Sequence, residues 1–93
     1  MSSNNMKMVI AIVRDADNDT ILEKLLEANY RVTRIASSGG FLRRGNTTLM
    51  IGVDEEQVEG VLHIFRENCL STIDLAVRHA TIFVLDVDRY EQI

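Results

Sequence analysis

The chain has 93 residues, with 10 Lys and Arg against 14 Asp and Glu and a net charge of −4. That balance supplies no basic face for sequence-independent nucleic-acid binding, although a few local arginines suffice for a small phosphorylated ligand. Apolar content of 46% is that of one ordinary globular domain spanning 1–93, no apolar run approaches the roughly 20 residues that cross a bilayer, and the single cysteine, Cys69, excludes an intramolecular disulfide or a cysteine-based metal cluster.

The opening segment 1–5 is polar and reads as a loose tail, so a cytoplasmic location is expected. Lys7 to Val13 (KMVIAIV) is a nearly continuous apolar run of strand length, the pattern of a strand covered on both faces. Asp17 is the expected N-cap of a helix through about Ala28, with Ile21, Leu22, Leu25 and Leu26 on one stripe. Asn29 ends that helix, because asparagine tolerates the left-handed conformation that follows a C-cap. Tyr30 to Ser37 alternates as a half-buried strand, with Arg31, Thr33, Ile35 and Ser37 on one face.

The loop from Ser37 to Asn46 (SSGGFLRRGN) is longer and chemically richer than a hairpin needs. Thr47 to Val53 is a third strand, in which Gly52 permits a bulge or a close backbone approach. Asp54 and Gln57 have capping-box spacing and open a helix to about Cys69, with Val58, Val61, Leu62, Phe65 and Cys69 as its buried stripe. Leu70 to His79 reads either as an irregular connection or as one containing a short strand, Ile73 to Val77. Ala80 to Val87 is a final strand, followed by a short tail from Asp88 to Ile93.

The order β-α-β-β-α-β predicts an α+β, ferredoxin-like sandwich: a four-stranded antiparallel sheet with two helices on one face. The first and last strands are apolar on both faces, so the face without helices is expected to be buried between subunits.

Arg31 and Thr33, two apart on a strand, share a face beside the Gly39-Gly40 loop. They fit either a phosphate grip completed by loop N–H groups or a solvent-facing strand edge. Phe41 and Leu42 offer a stacking platform for a base or a hydrophobic loop anchor. Asn29 and Asn46 are able to read a purine edge, and each serves equally well as a turn residue. His63 and His79 lack partners at metal-ligand spacing, and Asp15, Asp17 and Asp19 lack the glycine and glutamate of a calcium loop. No nucleophile stands at a recognisable spacing from a base, so neither an enzyme nor a bound cofactor or metal is expected.

Three stretches, KMVIAIVRDAD, NYRVTRIASSGGFLRRGNTTLMIGV and ATIFVLDVDRYEQI, together resemble the PII-like cyclic di-AMP receptors of Gram-positive bacteria. The resemblance runs from about Met6 to Cys69 and resumes from Ala80. It implies a PII-like, non-catalytic signalling homotrimer that binds cyclic di-AMP in pockets between subunits. Matching positions place Asn29, Arg31, Thr33, Gly40, Phe41, Leu42, Asn46, Gly52, Phe83 and Gln92 in that pocket. Arg31 and Thr33 then hold phosphate, while Phe41 and the asparagines hold adenine. The chain departs from the family in its short Leu70 to His79 connection and, more mildly, at Arg44. Two alternatives stand beside this reading: a PII-like sensor of ATP or ADP, and a structural trimer that docks on a protein partner.

Overall fold

The computed structural model describes residues 5–35, 45–69 and 80–93. The elements are β1 (Met6–Arg14), α1 (Asp15–Glu27), β2 (Arg31–Ile35), β3 (Asn46–Asp54), α2 (Val58–Asn68) and β4 (Ala80–Asp86). A 3-10 turn at Glu55–Gln57 leads into α2. The four strands form one sheet in the order β2-β3-β1-β4, with every neighbouring pair antiparallel. This is the split βαβ arrangement that the element order predicts.

Strand alternation sorts the side chains. Val9, Ala11 and Val13 of β1 and Leu49, Ile51 and Val53 of β3 are buried on the helix side. Ile21 and Leu25 of α1 and Val61 and Phe65 of α2 close the core from above. Burying each of these larger side chains stabilises the fold by about 1.5–3 kcal/mol, which lets two short helices hold against the sheet.

The start of α1 lies two residues before the expected Asp17. Its N-cap is Arg14, and the Asp15 N–H donates to the Gly45 carbonyl at 2.7 Å. The Asp15 carboxylate accepts from Thr47 Oγ1 at 2.5 Å, so the first turn is fastened to the start of β3. Asp17 is therefore inside the helix and buried rather than capping it. Gly45 adopts φ +86°, a left-handed conformation that a side chain would strain.

The C-terminal end of α1 follows expectation. Asn29 has φ 67°, its N–H donates to the Leu26 carbonyl and that of Tyr30 to the Leu25 carbonyl. This paired pattern is a Schellman motif. The capping box before α2 is present, with the Asp54 N–H donating to Gln57 Oε1 at 3.0 Å. Gly52 makes no bulge, since the pairing of β3 with both neighbours runs through it without interruption. The suggested strand at Ile73 to Val77 and the last residues of the predicted second strand, 36–37, lie outside the described residues.

Gly60 on α2 has a packing reason. A Cβ there would stand 2.6 Å from the Tyr30 hydroxyl oxygen. Alanine in a helix interior is otherwise better than glycine by about 1 kcal/mol. Gly60→Ala alone is expected to recover little of that gain, whereas in a Tyr30→Phe background it recovers most of it. Urea unfolding of the four proteins of this cycle measures the coupling; strictly additive effects would refute the contact.

Candidate functional site

The sheet face opposite the helices is open in one protomer. Arg31, Gly52, Met8 and Leu85 form one row across it, and Thr33, Met50, Ile10 and Phe83 the next. Phe83 is 50% exposed and Leu85 48% exposed, although both belong to a strand whose hydrogen bonds hold it in the sheet. The expected side-sharing of Arg31, Thr33 and Ile35 follows from their register against β3.

At the Arg31 end of this face lies a cleft of about 480 Å³, within the range of small-molecule sites. β2 supplies Arg31 and Thr33, β3 supplies Met50 and Gly52, and β1 supplies Met6 and Met8. The tail supplies Val87, Tyr90 and Gln92. A backbone bond from the Val87 N–H to the Met6 carbonyl at 3.1 Å anchors that tail beside β1.

The electrostatics of the cleft run against those of the whole chain. Among the described residues no Asp or Glu lines it, and Arg31 is its one charged group. Among the described residues Arg31 joins no ion pair, whereas Lys7 pairs with Asp86, Arg66 with Glu59 and Arg89 with Glu91. Asp86, hydrogen-bonded to the Lys7 ammonium, raises the lysine above its ordinary pKa and keeps that charge engaged outside the cleft. A second concavity, of about 370 Å³, is lined by Asn5, Glu55 and Glu56 and presents two carboxylates to any anion. Of these two concavities, the first is the one whose described lining carries a forked cationic donor and no carboxylate.

Gly52 carries independent information. A Cβ built there meets nothing within 4 Å among the described residues. Glycine inside a strand costs about 0.5–1 kcal/mol relative to alanine, and no neighbour in the described protomer requires it. Among the described residues the space above it is open.

Of the sequence-predicted residues, Arg31, Thr33, Gly52 and Gln92 line one cleft. Phe83 shares the open face but stands three strand spacings from Thr33, about 14 Å. Asn46 begins β3 at the opposite end from Gly52, six residues or about 20 Å along the strand. Asn29 is exposed in the turn before β2. Gly40, Phe41 and Leu42 lie outside the described residues. Tyr90 and the methionines at 6, 8 and 50 were not singled out from sequence. Tyr90 had one usable signal, its spacing of two from Gln92 in an extended segment.

Cys69 is half-buried at the end of α2, and burial together with the nearby Asp17 charge raises its thiol pKa. It is a packing residue, in keeping with the sequence. Among the described residues no group of His, Cys, Asp and Glu is placed to hold a metal ion, and no helix is long and apolar enough to cross a membrane.

A four-stranded antiparallel sheet of this order with two helices is a ferredoxin-like, PII-like fold. The PII protein of Arabidopsis thaliana, solved with citrate bound, is 25% identical over 92% of this chain and 78% of its own, with a TM-score of 0.65. A protein of unknown function from Pediococcus pentosaceus is 36% identical over 98% of this chain and 100% of its own, with a TM-score of 0.78. A DUF3240-family protein from Shewanella baltica shares the fold alone, at 13% identity over 100% and 99% of the two chains and a TM-score of 0.69. The family model described as cyclic-di-AMP receptor matches residues 6–75. The chain belongs to the cyclic di-AMP receptor family. The matched region includes Asn29, Arg31, Thr33 and Gly52, and stops before Phe83 and Gln92.

Proposed function

We propose that the protein is a non-catalytic cytoplasmic receptor that binds cyclic di-AMP between the subunits of a homotrimer. The observation that carries this reading is made among the described residues: Arg31 joins no ion pair there, and it lines a cleft with no described carboxylate, beside Gly52, where a Cβ would meet nothing within 4 Å. Cyclic di-AMP presents two phosphodiester charges and two adenines on a compact ring. Arg31 supplies a forked donor for one phosphate and Thr33, on the same face, a hydroxyl. Gly52 lets the ligand approach the backbone, and Gln92 offers paired donor and acceptor groups to a base edge.

What one protomer leaves apart supports the proposed assembly. Phe83 and Asn46 lie too far from Arg31 to touch one compact ligand from the same chain. Copies packed through the open face bring a second protomer's residues to the cleft and cover Phe83, Leu85 and Ile10 together. Residues from the 37–44 loop, Gly40, Phe41 and Leu42, complete the proposed site. No catalytic residue, cofactor or metal enters this reading.

Calorimetry with cyclic di-AMP, cyclic di-GMP and ATP tests it. Saturable heat with cyclic di-AMP and much weaker responses to the other two are expected; silence with cyclic di-AMP at high micromolar concentration overturns it. A tighter response to ATP would favour an adenine-nucleotide sensor on the same scaffold. Gly52→Val provides a second check. Valine suits a strand and a Cβ at this position meets nothing within 4 Å among the described residues, so the unfolding midpoint is expected to hold or rise. Cyclic di-AMP affinity is expected to fall by about tenfold or more, because the added methyls occupy the space of close approach, about 1.4 kcal/mol per decade. Unchanged affinity in this variant would remove Gly52 from the site.

A further inference from the structure

We infer that Tyr90 is the aromatic wall of a base slot in this cleft, with methionine side chains as its floor. The inference rests on the cyclic di-AMP reading and adds the group against which a base stacks. Three of the chain's 4 methionines, Met6, Met8 and Met50, line the cleft beside Tyr90. Thioether sulfur and aromatic rings attract each other, and an unbranched Met side chain adapts to a flat guest.

The tail geometry points Tyr90 inward. Val87 is fixed to β1 by its bond to the Met6 carbonyl. Beyond it, Arg89 and Glu91 pair with each other at 2.5 Å. This pair alternates along the chain with Tyr90 and Gln92. Both of the latter line the cleft. The Tyr90 ring is nonetheless 57% exposed, so its own fold buries little of it. An aromatic ring held at a cleft mouth and left open on one face is suited to stack on a base. Arg31 and Thr33 occupy the sheet side of the same cleft, which places the phosphate grip and the base slot within one nucleotide.

The chain has 2 tyrosines and no tryptophan, so a direct optical test exists. In Tyr30→Phe, Tyr90 is the sole tyrosine emitter. Titration with cyclic di-AMP is expected to quench its emission with the midpoint that calorimetry gives. Tyr90→Ala is expected to weaken binding by about 5- to 150-fold, the range for losing one base–aromatic stack, with an unfolding midpoint near that of the parent. Tyr90→Phe keeps the ring and is expected to bind within about twofold of the parent, as stacking needs no hydroxyl. If the parent binds cyclic di-AMP while Tyr90→Ala binds equally well, or the Tyr30→Phe emission stays constant through saturation, the slot is refuted and the receptor reading survives. If the parent does not bind at all, both fall together.

Discussion

Replacing Arg31 by alanine is expected to weaken cyclic di-AMP binding by about 10- to 150-fold, the equivalent of losing a charged hydrogen-bond partner worth about 1.5–3 kcal/mol. The size of the effect comes from isolation. Among the described residues Arg31 is the one charged group lining the cleft and joins no ion pair, so none of them would take over a phosphate held there. Its side chain is exposed on an outer strand, so the fold itself should tolerate the change, and thermal unfolding separates the two effects. Arg31→Lys keeps the charge but loses the planar fork, and should lie between the parent and the alanine variant. Parent-like affinity in Arg31→Ala would exclude a phosphate contact there.

A glutamate at Ile10 is expected to break the assembly. Ile10 sits at the middle of the open face, flanked in its row by Met50 and Phe83. Inside a packed interface the new carboxylate has no partner, and an uncompensated buried charge costs about 3–5 kcal/mol. With one such charge in each protomer, Ile10→Glu should sediment as a monomer at tens of micromolar, where the proposed function expects the parent to sediment as a trimer. Cyclic di-AMP binding should vanish with the assembly, because a site shared between subunits is incomplete in one of them. The buried face of β1, carried by Val9, Ala11 and Val13, is untouched by this change, so the monomer should still show cooperative unfolding. A trimer that persists in Ile10→Glu would move the interface away from this face.

Much of this architecture was legible in the sequence because its signals are local. The apolar run from Lys7 to Val13, the alternation through Arg31 and Thr33, and the Asp54–Gln57 spacing each fix a period or a cap within a few residues. Asn29 is a clear instance: its tolerance of positive φ marks the helix end, where the chain takes φ 67°. The start of α1 was missed for the opposite reason. Asp17 has the chemistry of a cap, but the start is set by Asp15 reaching Gly45 and Thr47 across 30 residues or more. Periodicity carries no such long-range term.

The candidate site divides along the same line. Arg31 and Thr33 share a face by simple alternation, whereas their meeting with Gln92 requires the strand order and the path of the tail. Met8 and Met50 are unremarkable core-type residues until register puts them in the rows of Arg31 and Thr33. Phe83 and Asn46 were joined to Arg31 by resemblance alone. Their separation on one protomer fits the proposed site only if that site draws on more than one chain.

A crystal structure of the protein grown with cyclic di-AMP measures all of this at once. The account predicts one ligand per subunit boundary, with a phosphate against the Arg31 guanidinium and the ring system lying over Gly52. Ligand bound wholly to another surface, or a complex in which the open face of each sheet remains bare to solvent, would contradict it.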